Sequence, residues 1–484
     1  MPAMLDHLPL EILYMVVAYL RDDHRQNQKP DQPSWYSLSL QPLLSLCLVS
    51  KRLCATTQPI LYHEFMPGVG DSWRSTLFSW DRRLTSFIRT VAQRRDLATC
   101  VRRVHLHSYL LKPFEVLREN QVYPDSAYSG CMPDIPAVPV TNKLQESEVE
   151  DMNEAIQVAG NALGIKKQTR NRLLASDMFT LLIAQLPYLH HCSIVAGGRP
   201  VQVVRAALLS AAGISNLPLK TVDLSLDAPA SRIDLLSLHK TWRRSPLPTL
   251  KKLKNLRVTY SRLSREALKA LLYCCEGLRS FTYEAGYRAY DGCHEPGDGT
   301  DHFRLVDAVE DLTRHSETLE YLHLDLRQRG HHPGGFDPRA VVTFRGFKVL
   351  KHLFLNLDEF HSRFWGASAS SPGQMLVDLL PSSIEFLHLA GFIGDELPRL
   401  EKSLFGLAQA CADGKVPALR EVRWSRNEEL HHESSIRAAF ASAGVDFEHK
   451  HWPVTESTRG DDGSSPRPNF KDPFPLSDTE DPDL

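Results

Sequence analysis

Apolar residues recur along the chain in a triplet spaced L-x-x-L-x-L. The second and third apolar residues of each triplet lie two positions apart, which is the period of a β-strand that buries one face. From Leu189 onward, successive triplets begin 30, 34, 25, 41, 31, 34 and 35 residues apart, which leaves room for a strand, a helix and two loops. The pattern therefore predicts nine strands, at Val101/Val104/Leu106, Leu189/Cys192/Ile194, Leu219/Val222/Leu224, Leu253/Leu256/Val258, Leu278/Phe281/Tyr283, Leu319/Leu322/Leu324, Leu350/Leu353/Leu355, Ile384/Leu387/Leu389 and Leu419/Val422/Trp424.

The segments between triplets have helical spacing instead. SREALKALLYCCEG predicts a helix with one apolar face that ends at Gly277. DHFRLVDAVEDLTRH predicts a second such helix, with Asp301 as its N-cap. The residues on these two faces are Ala267, Leu268, Leu271 and Leu272 in the first segment, and Phe303, Val306, Val309 and Leu312 in the second. Because one strand and one helix cannot cover their own apolar faces, neighbouring units must stack. The sequence thus predicts an α/β solenoid.

This alternation of strand and helix resembles the leucine-rich repeat, which implies a horseshoe with strands on the inner curve and helices outside. The family consensus carries Asn or Cys eight residues after the first leucine, and only the final repeat has one, Asn427. We therefore expect an irregular horseshoe with variable loops. A layered α/β domain with parallel strands would share much of the pattern, although the chain has no phosphate-loop fingerprint.

The gap of 88 residues between the first two triplets holds additional chain. Residues 112–148 are proline-rich and are predicted to be an irregular excursion, whereas EVEDMNEAIQVAGNALG and RNRLLASDMFTLLIAQL predict two helices. Residues 178–198 carry no formal charge, and this segment is roughly as long as a membrane span. Pro187 and the pair His190 and His191 would be costly in a bilayer, so we predict a helix, a break and a strand there.

Two amphipathic helices precede the repeats. The first lies in LDHLPLEILYMVVAYL, with Pro9 at the helix start and one apolar face formed by Leu8, Ile12, Val16 and Tyr19/Leu20. A polar spacer, residues 21–41, leads to PLLSLCLVSKRLCATTQPILYHEF. There a second helical face is predicted to end at Pro59 and consists of Leu43, Leu46, Val49 and Leu53.

At these residues the chain resembles an F-box, the helical module by which substrate receptors dock onto the Skp adaptor of cullin–RING ubiquitin ligases. The matching residues are Leu8, Pro9, Glu11, Ile12, Leu20, Leu43, Leu46, Val49, Ser50, Lys51, Arg52, Leu53, Pro59, Leu61 and Tyr62. The resemblance implies that the adaptor is bound by Leu8, Pro9, Glu11, Ile12, Leu20, Leu43, Leu46, Val49 and Leu53. The spacer is longer than in many F-boxes, and two helices that only cap the first repeat would need fewer of these matches.

The predicted domains follow from these patterns. Residues 4–65 form the F-box-like module, 66–100 a helical connector or cap, and 101–452 the leucine-rich-repeat-like solenoid. Residues 453–484 contain eight Asp and Glu against three Lys and Arg, a net charge of 3 − 8 = −5. Together with their Pro, Ser and Gly content, this charge predicts a disordered acidic tail.

Composition adds few constraints. The net charge of −2 gives no reason to expect a nucleic-acid or membrane partner, and nine cysteines without CxxC spacing suit reduced thiols in the cytoplasm, the nucleus or both. The best group of potential metal ligands, YDGCHEPGDGTDH, fits neither a calcium loop nor a zinc spacing, so it is predicted to be a polar loop. The histidine pairs at 190/191, 331/332 and 431/432 are not predicted to share a metal, and the basic run KKLKNLR is predicted to be a solvated edge. No catalytic residue, metal or cofactor is predicted.

The predicted partner surface lies on the inner strand face. Residues that flank the second apolar position point away from the core, and in repeats six to eight all of them are aromatic or histidine: Tyr321, His323, His352, Phe354, Phe386 and His388. They would form one patch for an unknown protein substrate, or else face a loop folded over it. The sequence favours two functions: the substrate receptor of an SCF-type ubiquitin ligase, and a leucine-rich-repeat scaffold without ligase linkage. An enzyme on an α/β fold is a distant third, because the chain shows no catalytic residues.

Overall fold

The structure is a computed structural model that describes residues 8–26, 41–65, 80–107, 146–170, 173, 177–196, 206–226, 250–261, 263, 265–285, 303–326, 342–357, 372–390, 397–425 and 430–449. The chain divides into two compact units. Of the described residues, those from 8 to 195 and from 206 to 214 belong to the first unit, and residue 196 and those from 215 to 449 belong to the second. The predicted excursion, most of residues 112–148, and the predicted tail, 453–484, lie outside the described residues.

The first unit combines helices with three short parallel strands. Its elements are α1 (Leu10–Gln26), α2 (Gln41–Val49), α3 (Lys51–Leu61), β1 (Glu64–Phe65), α4 (Trp80–Gln93), α5 (Arg95–Ala98), β2 (Arg103–His107), α6 (Glu146–Ala162), α7 (Lys167–Arg170), α8 (Asp177–Gln185), β3 (His191–Ala196) and α9 (Ala206–Ala211). Strand β2 pairs in parallel with β1 on one side and β3 on the other. The predicted helix, break and strand between 178 and 198 are confirmed.

The second unit alternates strands and helices. Its elements are β4 (Thr221–Leu226), β5 (Asn255–Ser261), α10 (Arg265–Tyr273), β6 (Ser280–Ala285), α11 (Leu305–Leu312), β7 (Tyr321–Asp325), β8 (His352–Asn356), α12 (Met375–Leu379), β9 (Phe386–Ala390), α13 (Leu397–Ala412), β10 (Glu421–Ser425), α14 (Glu433–Ser442) and β11 (Asp446–His449). Two 3₁₀ turns, Thr313–His315 and Pro372–Gln374, precede β7 and α12. Each strand pairs in parallel with the next, and β4 and β11 do not pair with one another, so this ladder of described strands is not closed into a barrel.

The nine predicted strands are confirmed, and their apolar triplets form the core. Every residue of the nine triplets is at most 9% exposed. Equivalent positions stand side by side in the ladder: Leu322 pairs with Leu353, and Leu353 with Leu387. A strand order that follows the chain order is the arrangement that stacked repeats require.

A backbone anchor links most of the repeats to the one before them. The carbonyl of Lys254, which lies just before β5, accepts hydrogen bonds from the amides of Arg279 at 2.8 Å and Ser280 at 2.9 Å in the next repeat. The same two-amide arrangement recurs at the carbonyls of Lys220, Arg279, Glu320, Lys351 and Glu385, and in the first unit at His63 and Arg102. We call these carbonyls the anchor carbonyls. They satisfy the backbone at the entrance to each strand whatever side chain is present.

The structure corrects the predicted boundaries in several places. Helix α1 continues to Gln26, six residues beyond the predicted end. The predicted second helix is interrupted at Ser50 into α2 and α3, and Pro59 lies inside α3 rather than ending it. A proline at this position removes one intrahelical hydrogen bond, the one to the carbonyl of Ala55, and the helix ends two residues later. Strands β1 and β11 were not predicted, because neither carries a complete apolar triplet.

Helix α11 begins differently from the prediction, which placed its N-cap at Asp301, outside the described residues. The carboxylate of Asp307 accepts a hydrogen bond from the backbone amide of Arg304 at 2.9 Å, and the guanidinium of Arg304 also contacts it. Burial raises the pKa of the Asp307 carboxyl, but the hydrogen bonds from Arg304 and the charge of Arg265 outweigh it, so the net pKa is lowered. An ionised Asp307 therefore caps the positive end of the helix.

One glycine permits a close approach between α13 and the 3₁₀ turn before α12. A Cβ atom on Gly406 would overlap the backbone of Gly373. We expect Gly406→Ala to reduce the free energy of unfolding by about 1 to 3 kcal/mol, because overpacking outweighs the better helix propensity of alanine. Chemical denaturation measures this loss. Gly346→Ala, where a Cβ would meet nothing within 4 Å, is the control, and equal stability of the two variants would contradict the close packing.

Candidate interaction surfaces

Helix α1 has apolar side chains on nearly all sides. Leu13 and Val17 are buried, and α1 contacts α2 and α3. Its other large apolar side chains are exposed: Leu10, Ile12, Tyr14, Met15 and Tyr19. A helix that is apolar all round is normally enclosed by protein on every side. The outward face of α1 is therefore suited to a partner.

Helix α2 continues this exposed apolar surface. Leu43 is buried, whereas Leu44, Leu48 and Val49 are exposed, Leu48 to 88%. Among the described residues, eight of the ten exposed large apolar side chains lie on α1 and α2. We call these eight the docking surface: Leu10, Ile12, Tyr14, Met15, Tyr19, Leu44, Leu48 and Val49.

The two exposed apolar side chains elsewhere each lie against an arginine. The guanidinium of Arg102 stands 4.9 Å from the ring centre of Tyr188, and that of Arg314 stands 4.0 Å from the ring centre of Tyr273. Cation–π contacts of this kind cover part of the ring within the chain itself. The docking surface thus differs from these two sites in its size, since it contains eight exposed apolar side chains.

The structure sorts the predicted adaptor-binding residues into three groups. Pro9, Glu11, Ile12 and Val49 are exposed, and Leu8, Leu20 and Leu46 are half-buried. Leu43 and Leu53 are buried, which corrects their assignment to the adaptor contact: they hold the three helices together. The exposed apolar residues Leu10, Tyr14, Met15, Leu44 and Leu48 were not in the predicted set, although the apolar residues on every side of α1 indicated the first three.

The break between α2 and α3 is stabilised by local hydrogen bonds. Ser50 adopts an extended conformation, and its Oγ accepts a hydrogen bond from the amide of Leu53 at 3.1 Å, as an N-cap does. The guanidinium of Arg52 donates a hydrogen bond to the carbonyl of Leu8 at 2.8 Å, which connects the start of α3 to the start of α1. The three helices therefore form one packed module around Leu13, Leu43 and Leu53.

The six residues of the predicted partner surface do lie together, in two parallel rows. Tyr321, His352 and Phe386 occupy equivalent positions of β7, β8 and β9, and the rings of His352 and Phe386 stack with centres 4.4 Å apart. We call these three residues the outer row, because all of them are half-buried. They remain available for contact with a protein.

The second row is buried. It consists of His323, Phe354 and His388, and His323 is 0% exposed. The rings of His323 and Phe354 stack with centres 4.1 Å apart, and Phe354 meets His388 edge to face at 5.2 Å. The prediction of one accessible six-residue patch is therefore corrected to the outer row alone, because residues with so little exposed surface cannot bind a partner directly.

Two charged residues lie near the buried row: Arg257 of β5, which is in register with it through Thr282 of β6, and Glu284, two residues after Thr282. Glu284 Oε1 lies 3.6 Å from a guanidinium nitrogen of Arg257 and 3.8 Å from Nε2 of His323, and all three residues are buried. Removal of one member would leave an uncompensated buried charge, so each member of the group is needed once the others are present. Arg257 belongs to the basic run KKLKNLR, whose Lys251 and Lys254 contact Glu276 and the carbonyl of Gly277.

No metal site or membrane span emerges from the described part of the chain. Within it, no group of three or more His, Cys, Asp or Glu side chains is placed to hold a metal ion. His432 uses its amide and its Nδ1 to contact the buried carboxylate of Glu401, at 3.0 and 2.9 Å, at the start of α14. The segment YDGCHEPGDGTDH and the pair 331/332 lie outside the described residues. No described helix has the length and apolar content needed to cross a bilayer.

Comparison with known proteins supports the repeat. A family model described as a leucine-rich repeat domain matches residues 229–450, which contain strands β5 to β11. No F-box model matches the chain. A search of curated proteins found no match. Residues 229–450 are therefore a leucine-rich repeat domain, with helices and a parallel strand ladder that is not closed into a barrel.

Proposed function

We propose that this chain is a non-catalytic substrate receptor of an SCF-type ubiquitin ligase. In this proposal α1, α2 and α3 dock onto a Skp-type adaptor, and the leucine-rich repeats hold a protein substrate while other subunits transfer ubiquitin. The observation that carries it is the concentration of exposed apolar side chains on α1 and α2, at the residues that resemble an F-box. Exposed apolar patches of this kind mark interaction sites.

The burial of Leu13, Leu43 and Leu53 supports an adaptor-binding role in a second way. These residues give the three helices a core of their own, so the docking surface does not depend on the repeats for its shape. A partner can therefore cover Ile12, Leu48 and their neighbours without unfolding anything. The leucine-rich repeat domain supports the other half of the proposal, since such repeats present extended surfaces to proteins.

A scaffold without ligase linkage is the second candidate, and one observation favours it. Strand β1 directly follows α3 and pairs with β2, and Phe65 of β1 stacks on Phe87 of α4 with ring centres 4.0 Å apart. An end unit that continues a strand ladder is what a cap does. A cap, however, has no use for the apolar side chains that α1 and α2 present to solvent.

Affinity purification of the intact chain separates the two candidates. Under the substrate-receptor proposal, a Skp-type adaptor and a cullin co-purify with the chain and are identified by mass spectrometry. A purification that recovers neither protein, from cells in which a known F-box protein recovers both, contradicts the ligase proposal and leaves the scaffold.

A further inference from the structure

A row of basic side chains lies at the entrance to three consecutive strands. The anchor carbonyl of Lys220 accepts a hydrogen bond from the amide of Lys254 at 2.8 Å, and that of Lys254 accepts one from Arg279 at 2.8 Å. These three residues therefore occupy equivalent positions of neighbouring repeats, whose strands lie about 4.8 Å apart. Lys251 and Lys252 are exposed in the turn just before Lys254. We call the five residues the basic rim.

The charges of the basic rim are only partly balanced by acids. Nζ of Lys251 lies 3.4 Å from a carboxylate oxygen of Glu276, and Nε of Arg279 lies 3.7 Å from one of Glu320. Among the described residues, no carboxylate forms an ion pair with the other three side chains. These are Lys220, Lys252 and Lys254. The basic rim thus has a surplus of three positive charges.

This surplus is confined to the repeats of β4, β5 and β6. At the same position of the next three repeats the charge alternates, with Glu320, Lys351 and Glu385. Nζ of Lys351 lies 3.1 Å from a carboxylate oxygen of Glu385, and this hydrogen bond is the main reason that the pKa of Glu385 is lowered. The later positions neutralise one another, so the attraction for anions is strongest at the basic rim.

The outer row begins where the basic rim ends. The amide of Tyr321 donates to the anchor carbonyl of Arg279 at 3.0 Å, and His352 and Phe386 follow on the next two strands. At about 4.8 Å per strand, the outer row lies about 10 to 20 Å from Lys254. An extended peptide advances about 3.3 Å per residue, so three to six residues cover this distance.

We propose that the basic rim and the outer row together bind an acidic peptide segment of a partner protein. An apolar side chain of the peptide rests on the outer row, and carboxylates three to six residues away face the basic rim. The proposal deepens the proposed function, because it names the class of substrate, and it rests on that function only in assuming that the repeats hold a protein.

Two observations favour an acidic peptide over a nucleic acid. The rings of His352 and Phe386 stack on each other with centres 4.4 Å apart, so these ring faces are already used and cannot receive a base. The whole chain has a net charge of −2, whereas binding to a phosphate backbone rests on a basic surplus. A short acidic segment needs only the local surplus of the basic rim.

Peptide binding to the intact chain tests the proposal by fluorescence anisotropy. The probe is a fluorescein-labelled peptide with one central Phe, two Ser on each side and four Glu beyond them. It should bind at least about tenfold more tightly than the same peptide with Gln in place of Glu. It should also weaken at least about tenfold between about 0.1 and 1 M salt, because the screening length falls from about 10 to about 3 Å. Equal affinity of the two peptides overturns the proposal.

Charge reversal locates the site on the chain. Lys220→Glu combined with Lys252→Glu should weaken the Glu peptide at least about tenfold, and thermal unfolding should be unchanged because both side chains are exposed. The matched control is Lys167→Glu combined with Lys402→Glu, which changes two other exposed lysines and should keep affinity within about twofold. An equal loss in both double variants would show that only the net charge matters, and the proposal fails.

Carbodiimide crosslinking identifies the contact directly, since it joins a peptide carboxylate to a nearby lysine amine as an amide. Mass spectrometry should find the Glu peptide on Lys220, Lys252 or Lys254. Crosslinks confined to other lysines, or displacement of the Glu peptide by an equal concentration of a single-stranded oligonucleotide, overturn the proposal. Crosslinks from these three lysines to residues 453–484, or to a second copy of the chain, overturn the assignment to a separate partner.

These outcomes are independent of the adaptor. A chain that binds the Glu peptide through the basic rim but recovers no adaptor or cullin contradicts the ligase proposal and supports the peptide site. A chain that recovers both proteins but binds the Glu and Gln peptides equally contradicts the peptide site alone.

Discussion

Leu48→Asp is expected to weaken adaptor binding by about a hundredfold or more, close to 3 kcal/mol, without loss of folding. Leu48 is 88% exposed in the chain alone, so a carboxylate there stays hydrated until the adaptor covers it. Within an apolar interface the same carboxylate would lose its water without gaining a partner, which is costly. Adaptor affinity by calorimetry and thermal unfolding of the free chain measure the two effects separately.

Leu48→Met is the matched control, because it preserves volume and apolar character at the same position and should bind the adaptor nearly as well as the wild type. Leu8 and Pro9 provide an independent test at the start of α1, where replacement of both by Ala should also abolish adaptor binding. Wild-type adaptor affinity of Leu48→Asp would contradict the prediction that α2 contacts the adaptor. Wild-type adaptor affinity of the Leu8 and Pro9 double variant would show that the F-box assignment is wrong.

Leu353→Ala is expected to reduce the free energy of unfolding by about 2 to 5 kcal/mol, because it leaves a cavity among the stacked triplets of β7, β8 and β9. Phe354→Ala, one residue later and on the opposite strand face, is expected to reduce it by a similar amount. Its ring is buried and stacks on His323. Chemical denaturation of the two variants provides the comparison.

Phe386→Ala is the matched contrast within the predicted partner surface. Phe386 is half-buried in the outer row, so its truncation should cost about 1 kcal/mol or less of stability while weakening binding of a substrate anchored there. A stability loss in Phe354→Ala below about 0.5 kcal/mol would contradict the burial of the second row and support the predicted partner surface of six residues. A loss in Phe386→Ala as large as that in Leu353→Ala would instead place the outer row in the core.

The strand ladder could be predicted from the sequence because its physical cause is local. A strand that buries one face needs apolar residues two positions apart, and the additional apolar residue three positions earlier lies in the turn that enters the strand. Leu319, Leu322 and Leu324 illustrate this, since all three are buried. Strand β11 was missed because Gly444 occupies the entering position, where other repeats have an apolar side chain.

The helix break at Ser50 could not be predicted from the apolar pattern. Leu43, Leu46, Val49 and Leu53 satisfy the spacing of one continuous helix, yet the hydroxyl of Ser50 caps a new helix instead. The same limit applies to the buried row of the strand face. Alternation along a strand shows which side chains leave the core, but whether these are then covered depends on contacts far away in sequence, as with His323.

The anchor carbonyls also bear on how this molecule tolerates insertions. Each joins one repeat to the next at the same backbone position, and none requires a particular side chain. The chain between successive anchors can therefore change in length without altering the ladder, as the spacings of 25 and 41 residues between neighbouring triplets illustrate. A peptide epitope or a small reporter domain grafted between strands would leave strand registration intact, which makes the repeat a natural framework for displaying new segments.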